Sequence, residues 1–248
     1  MKLLIMVPAY NEALNIQQVV QHLQSICPEY DYLIINDGSR DATARICREN
    51  RYPVLDLPVN GGLSNAIHAG MCYAKEKGYD MALQFDGDGQ HDARFIREMV
   101  RVMEEHHDDI VIGSRFVTEK KPHSLRMMGN NLLQAVICLV TGGQNIHDTT
   151  SGMRLYNQRM IDAYADSINM GPEPDTIGYL LRCGARVEEV QVQMHERMAG
   201  VSYLTLGRSM KYMLEMCVSM LVVQWSRKKI QLEAVSYTHL TLPTILLV

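Results

Sequence analysis

The ten residues LQFDGDGQHD, at positions 83–92, place three carboxylates directly after an apolar run. Asp86 and Asp88 flank Gly87, and Asp92 follows four residues later. Like charges this close repel one another unless a metal ion, a basic side chain or water lies between them. Mg²⁺ and Mn²⁺ are commonly held by one or two carboxylates together with substrate phosphates. The stretch therefore predicts a divalent-metal site at a strand end, against the alternative of a solvated acidic turn.

The sequence excludes three other kinds of site, one at the acidic turn and two after the first apolar run. An EF-hand loop that began at Asp86 would need Gly at its sixth position and Glu at its twelfth, where this chain has His91 and Arg97. No G-x-G-x-x-G motif of a dinucleotide-binding fold follows the first apolar run. The segment after that run, PAYNEALN, has no Gly, Lys or Arg for the Gly-rich basic loop of a nucleotidylyltransferase. The metal–phosphate interpretation remains.

The acidic turn is one of four polar clusters that follow predicted strands. Apolar, strand-like runs begin near residues 2, 30, 52, 80 and 109, and segments with helical spacing of apolar residues separate them. This alternation predicts a mostly parallel sheet with helices on both faces. Right-handed crossovers keep the carboxyl ends of such strands at one edge, where ligands bind. We therefore expect the four clusters to converge on one crevice: residues 8–12, 36–39, 60–62 and 86–88.

The pattern loosens after Phe116. We predict helices over residues 125–143 and 174–184, a loop at 147–157 that leads into a strand-like piece, and a strand over 185–194. A final Met-rich helix covers residues 207–229. Its apolar stretch from Met213 to Trp225 has 13 residues, fewer than the roughly 20 that span a bilayer. With Trp225 and the basic residues 227–229 at its end, this helix fits either a membrane interface or a core or dimer contact.

Composition limits the class of protein. The chain has 248 residues, of which 47% are hydrophobic, enough for one large α/β domain or two small ones. A net charge of −4 gives no reason to expect nucleic-acid binding. The six cysteines form no C-x-x-C pair, which is typical of reduced thiols in a cytoplasmic protein. The N-terminal MKLLIMVPAY is interpreted as a first strand, because its apolar run is too short for a signal peptide.

The last residues are treated separately. Val235 to Thr244, VSYTHLTLPT, resembles the translation of a sequencing-library adapter. We expect residues 235–248 to be an artefactual tail that contributes nothing to the fold, the alternative being a genuine apolar tail.

Five segments together resemble glycosyltransferase family 2: VPAYNEALNI, INDGSRDAT, NGGLSNAIHAG, QFDGDGQH and VIGSRF. The resemblance covers residues 2–229 and implies the GT-A fold, with inverting transfer of a sugar from a UDP- or GDP-linked donor. DGDGQH, GSRF, DTTSGMRLYN and ERMAGVSYL are most similar to the dolichyl- and polyprenyl-phosphate mannosyl- and glucosyltransferases. The implied acceptor is a polyprenyl phosphate. Two alternatives stay open: a saccharide hydroxyl in cell-envelope polysaccharide synthesis, and a catalytically inactive nucleotide-sugar-binding protein.

The resemblance also implies a domain division and site residues. Residues 1–229 form one domain, with a nucleotide-sugar-binding half at 1–116, an acceptor-side half at 117–206 and the final helix. Asp86 and Asp88 hold Mg²⁺ or Mn²⁺, with Gln90 as a third ligand. The residues implied to bind the nucleotide sugar are Pro8, Tyr10, Glu12, Asp37, Gly62, Ala66, Asp86, Arg115, Arg126 and Ser202. Arg197 matches a loop over the diphosphate and is expected to act in catalysis with Asp88.

Several of these side chains also have ordinary structural interpretations. Glu12 suits the first turn of a helix, Asp37 suits the cap of a turn, and Tyr10 suits a core position. Arg126 is alternatively a surface charge.

The general base is the point where this chain departs from the family. Many members carry Glu-Asp at the start of a late helix, whereas Glu173 and Asp175 are separated here by Pro174. A hydroxyl acceptor needs a base. A phosphate acceptor, whose second pKa is roughly 6, is largely ionised at neutral pH and needs none. The split motif therefore favours a lipid phosphate slightly, and whether either carboxylate serves as base stays open.

Overall fold

The computed structural model describes residues 1–119, 121, 125–167, 170–195 and 206–226, with only the backbone described for 125–126, 206–210 and 223–226. Seven strands form one sheet. They are β1 (Leu3–Ala9), β2 (Asp31–Asn36), β3 (Val54–Asp56), β4 (Met81–Gln84), β5 (Ile110–Ser114), β6 (Arg154–Asn157) and β7 (Val187–Gln191). Their order is β3-β2-β1-β4-β6-β5-β7.

The sheet is mostly parallel, as predicted. The adjacent strands β3, β2, β1 and β4 run parallel to one another, and β5 runs parallel to β7. The exception is β6, which is antiparallel to both β4 and β5. All seven residues of β1 are buried, because helices cover both faces of the sheet and leave no polar face for alternation.

Eight α-helices lie among the described residues. They are α1 (Ile16–Ile26), α2 (Thr43–Glu49), α3 (Leu63–Glu76), α4 (Ile96–His106), α5 (Leu125–Thr141), α6 (Gln158–Ala165), α7 (Pro174–Arg182) and α8 (Leu206–Ser226). No helix is predicted from the sequence at the position of α6. A local signal existed, since Asn157 accepts a hydrogen bond from the N–H of Met160 at 3.0 Å as an N-cap, and Met160, Ile161 and Tyr164 are buried at helical spacing.

Two hydrophobic clusters lie on opposite faces of the sheet. Met6, Ile35 and Ile112 point to the face that α3 and α5–α8 cover. Their strand neighbours Ile5, Ile34 and Val111 point to the face that α1 and α4 cover, as the two-residue period of a strand requires.

The final helix packs into the core, as one of the two interpretations of its sequence expects, and its contact with a membrane stays a prediction. Met213, Cys217 and Met220 of α8 are buried in the core, whereas Leu214 and Val218 are more than half exposed. Within the described part of the chain, no helix has both the length and the apolar character needed to cross a bilayer.

We predict that Gly70→Val lowers the free energy of unfolding by about 1–3 kcal/mol through overpacking. A Cβ at Gly70 would lie 2.6 Å from both Ile35 Cδ1 and Met6 Sδ, where α3 presses on the sheet. Urea denaturation measures the change. The control Ala69→Val places the same side chain at a half-buried position of α3 and is expected to cost less than about 1 kcal/mol. Equal losses in the two variants would contradict this account of the packing.

Candidate active site

The acidic turn after β4 is held by hydrogen bonds from its own neighbourhood. The Asp86 N–H donates to His91 Nδ1 at 3.0 Å, and Gln84 Nε2 donates to Asp86 Oδ1 at 3.0 Å. The Gln90 N–H donates to Asp88 Oδ1 at 3.1 Å. The Asp86 side chain keeps 32% of its surface exposed. The turn is therefore rigid at its base and open at its carboxylates.

Glycines let neighbouring chain segments approach this turn closely. The Gly87 N–H donates to the carbonyl of Pro8 at 3.3 Å, and a Cβ on Gly87 would lie 3.0 Å from that oxygen. A Cβ on Gly152 would overlap Asp86 Oδ2. Gly89 has φ +79°, a left-handed conformation that glycine adopts without strain.

The turn fits a hard divalent cation chemically. Asp86, Asp88 and Gln90 offer two carboxylates and one amide oxygen within five residues, and oxygen ligands suit Mg²⁺ and Mn²⁺. The binding of a metal by these residues stays a prediction. A different group, His106, Asp108 and Glu188, brings its ligand atoms within 4.8 Å of one another. It lies at the amino ends of β5 and β7, the sheet edge opposite the acidic turn.

Hydrogen bonds join the first and second polar clusters, as predicted. The Asn11 N–H donates to Ser39 Oγ at 3.0 Å, and the Arg40 N–H donates to Asn11 Oδ1 at 2.9 Å. Asn11 has φ +57°. The Glu12 N–H donates to Thr43 Oγ1 at 2.9 Å, so the turn after β1 contacts the start of α2.

Three residues that are predicted to bind the nucleotide sugar lie beside this contact. Pro8 is buried in β1, and Tyr10 is half-buried just beyond it. Glu12 is buried, accepts a hydrogen bond from Asn15 Nδ2 at 2.6 Å, and its carbonyl accepts the N–H of Ile16 at the start of α1. Helix α1 begins at Ile16 and has no acidic residue in its first turn, so Glu12 lies before the helix and the first-turn interpretation is wrong. The contact of Glu12 with a nucleotide stays a prediction.

Asp37 holds the third cluster. Its Oδ1 and Oδ2 accept the N–H groups of Gly61 and Gly62, each at 2.8 Å. Gly62, with φ +83°, is the N-cap of α3, and Ala66 is buried in the first turns of that helix. Asp37 thus caps the loop that the resemblance assigns to the donor, and a direct bond from Asp37 to a base or ribose stays a prediction.

Arg115 is paired with a carboxylate that the sequence analysis missed. Its Nε and Nη2 donate to Asp148 at 2.7 and 2.8 Å, and Asp148 is fully buried. Burial lowers the pKa of Arg115, but the hydrogen bonds with Asp148 outweigh it and raise that pKa overall. Glu189 accepts the N–H groups of His147 and Asp148. The ion pair with Asp148 therefore links Arg115 to the loop before β6. The contact of Arg115 with a phosphate stays a prediction.

Arg154 is a buried residue of the site that was not predicted from the sequence. It lies in β6, paired in register with Gln84 of β4, and is 1% exposed. Nε donates to the Ser151 carbonyl and Nη2 to the Thr149 carbonyl, each at 2.9 Å. Its buried Nη1 has no hydrogen-bond partner among the residues that the structure describes. Burying a guanidinium without a carboxylate partner costs desolvation free energy. The Arg in SGMRLYN was the signal available in the sequence.

Two histidines on the α1 side of the turn were also missed. His195 Nε2 lies 3.2 Å from Asp92 Oδ2, and the Ala93 N–H donates to His22 Nε2 at 3.1 Å. Burial raises the pKa of the Asp92 carboxyl, but hydrogen bonds from Arg94 and His195 outweigh it and hold that pKa well below its usual range. The histidines border a cavity of about 480 Å³, lined by Gln18, Val19, His22, Phe85, Gly89, His91 and His195.

The two acidic residues of the split motif point to different helices. Glu173, the N-cap of α7, accepts a hydrogen bond from Ser64 Oγ in the first turn of α3. Asp175 Oδ2 accepts one from Ser219 Oγ of α8 at 2.6 Å. Only Glu173 therefore contacts the helix that follows the Asp37-capped loop.

The remaining predicted residues fall outside the described part of the structure. These are Arg197, Ser202, the side chains of Arg126 and Trp225, residues 227–229 and the tail at 235–248. The roles predicted for them stay predictions.

The chain is similar in sequence to known proteins. The family model for glycosyl transferase family 2 matches residues 4–165. An undecaprenyl-phosphate mannosyltransferase of Micrococcus luteus is 30% identical over 222 residues, covering 84% of this chain and 89% of that protein. A polyprenol monophosphomannose synthase of Mycolicibacterium smegmatis is 26% identical, covering 82% and 80%. Both names agree with the branch that the motifs resemble.

Solved structures agree on the architecture. A mannosyltransferase from Pyrobaculum calidifontis in complex with GDP-Man and Mn²⁺ superposes with a TM-score of 0.65 at 13% identity, covering 89% of this chain and 64% of that one. Glucosyl-3-phosphoglycerate synthase from Mycobacterium tuberculosis gives 0.65 at 15% identity, covering 88% and 79%. At this identity the likeness shows the fold alone, the GT-A fold. The family match over most of the chain and the Micrococcus relative show that this protein belongs to glycosyl transferase family 2.

Proposed function

We propose that this protein is an inverting, metal-dependent hexosyltransferase that moves a sugar from a UDP- or GDP-linked donor to a polyprenyl phosphate. The observation that carries the proposal is the similarity to the Micrococcus luteus undecaprenyl-phosphate mannosyltransferase, which extends over 84% of the chain. It therefore includes the acceptor-side half as well as the nucleotide-side motifs.

The donor would lie across the crevice where the polar clusters meet. Asp37 and the Gly61–Gly62 loop provide a rigid wall on one side, and the turn at Asp86 and Asp88 borders the other. A divalent cation held by Asp86, Asp88 and Gln90 would supply Lewis-acid stabilisation of the leaving diphosphate. An acceptor oxygen would form the new bond to the anomeric carbon from the opposite face. The old bond breaks, and its electron pair leaves with the nucleoside diphosphate, which inverts the configuration.

The state of the two acidic residues supports a phosphate acceptor. Glu173 and Asp175 each accept a hydrogen bond from the hydroxyl of a serine in a neighbouring helix. An ionised phosphate oxygen needs no general base, so the chemistry is compatible with both carboxylates in these structural contacts.

The surface beside the acceptor-side half supports a peripheral contact with the cytoplasmic face of a membrane. Helices α5 and α8 pack together and expose large apolar side chains: Met128, Leu132, Leu139, Leu214, Val218, Leu221 and Val222. Apolar patches of this kind mark interaction surfaces, and an amphipathic helix can lie in the lipid interface. Such a contact would bring the phosphate of a lipid acceptor to the protein.

We predict that Asp88→Asn lowers the rate of transfer about a hundredfold or more and leaves the melting temperature unchanged. The substitution removes a metal-binding charge from a partly exposed turn and no core packing. Transfer is measured with UDP- and GDP-sugars at saturating Mn²⁺. The control Asp162→Asn removes an exposed carboxylate near Lys75 and should keep full activity. Parent-like activity of Asp88→Asn would show that the metal assignment is wrong.

We predict that a labelled nucleotide sugar and undecaprenyl phosphate yield a lipid-extractable product. The protein should also float with anionic liposomes at low salt and detach at high salt, because attraction of about 1 kcal/mol per nearby basic residue is screened by ions. Label found only on a water-soluble glycan would favour the saccharide-hydroxyl alternative. Donor binding without transfer to either acceptor would favour an inactive nucleotide-sugar-binding protein.

A further inference from the structure

One face of α3 is tied along its whole length to the acceptor-side half of the protein. Ser64, His68, Cys72 and Lys75 are spaced four, four and three residues apart, which places them on one side of a helix. His68 Nδ1 lies 3.0 Å from the Tyr164 carbonyl, and Cys72 Sγ lies 3.8 Å from the Ala165 carbonyl. Lys75 Nζ lies 2.7 Å from Asp166 Oδ1. Three of the four contacts thus go to α6 or the residue after it.

The fourth contact differs because it lies next to the loop assigned to the donor. Ser64 Oγ donates to Glu173 Oε1, which joins the first turn of α3 to the N-terminus of α7. Gly171 makes room for this pair, since a Cβ there would lie within 3.0 Å of Ser64 Oγ and of the Glu173 carboxylate. The absence of a side chain at Gly171 is therefore a condition of the contact.

The loop before Ser64 is held from its other side by Asp37. The Asp37 carboxylate accepts the N–H groups of Gly61 and Gly62, and Gly62 is the N-cap of α3. A continuous path of hydrogen bonds and helix backbone therefore runs from Asp37, through residues 61–64, to Glu173. Both ends of the path are carboxylates, and hydrogen bonds to charged groups are stronger than neutral ones.

The second acidic residue of the split motif provides an internal comparison. Asp175 accepts a hydrogen bond from Ser219 of α8, away from α3. The two serine–carboxylate pairs have the same chemistry and start within the same helical turn of α7, but only one reaches the donor loop.

From this geometry we propose that Glu173 acts as a brace and not as a general base. Ser64 and Glu173 are positioning residues that hold the donor segment in its binding conformation from the acceptor side. This segment, residues 61–66, consists of the Gly61–Gly62 loop and the first turn of α3. The proposal rests on the proposed function, because it takes this segment as the donor site. The brace needs a hydrogen-bond acceptor at position 173 and no basicity there, and a neutral acceptor keeps the contact in a weaker form.

This distinction makes Glu173→Gln the decisive variant. A glutamine carbonyl still accepts the Ser64 hydroxyl but cannot remove a proton. We expect Glu173→Gln to keep donor affinity and the turnover number within about threefold of the parent. Ser64→Ala and Glu173→Ala should weaken binding of UDP or GDP with Mn²⁺ about tenfold, the scale of one hydrogen bond to a charged group. Turnover at saturating donor should change much less. The matched control, Ser219→Ala, should leave nucleotide affinity unchanged.

Hydrogen–deuterium exchange tests the brace without any ligand. Amides at 61–66 should exchange about tenfold faster in Ser64→Ala than in the parent, and at the parental rate in Ser219→Ala. Unchanged exchange in Ser64→Ala would overturn the brace. A loss of turnover of about a hundredfold or more in both Glu173→Gln and Glu173→Ala, the scale of general-base catalysis, would overturn it in favour of a general base. If neither UDP nor GDP binds the parent, the proposed function fails, and the exchange rates still decide whether the brace exists.

Discussion

The pairing of β6 between β4 and β5 is the constraint on which the site depends. This strand is antiparallel to both neighbours and joins β1–β4 to β5 and β7 in one sheet. Its register sets Arg154 beside Gln84, whose amide donates to Asp86. Gly152, two residues before this strand, lies against the Asp86 carboxylate, where a Cβ would overlap Oδ2. A shift of one residue would turn Arg154 to the opposite face of the sheet.

Carboxylates organise the crevice mainly by accepting hydrogen bonds from the backbone and from hydroxyls. Asp37 holds two glycine N–H groups, Glu189 holds two N–H groups ahead of β6, and Glu173 holds Ser64. Buried backbone donors must find partners, and a charged acceptor is a strong one. Loops at the ends of parallel strands are irregular, so such side-chain acceptors replace the regular ladder there. The result is a crevice whose walls are held rigidly before any ligand binds.

The distribution of positive charge follows from the same packing. Arg115 lies over a buried carboxylate and contributes little unbalanced charge. Arg154 is more deeply buried and bonds only to carbonyl oxygens among the described residues. The two arginines therefore differ in their partners, which are a buried carboxylate for Arg115 and carbonyl oxygens for Arg154.

The sequence by itself determined the strand–helix alternation, the seven strands, the position of the acidic turn and the family. These features are local: apolar period, turn residues and short motifs are all read within a few neighbouring residues. It also placed the polar clusters at one edge, because parallel strands with right-handed crossovers allow no other arrangement. Only the tertiary structure decided where β6 inserts, that Asp148 pairs with Arg115, and that Glu173 and Asp175 turn to different helices. Each of these contacts joins residues more than 30 positions apart, and nothing within a short window of sequence specifies which distant partner a charged side chain will meet.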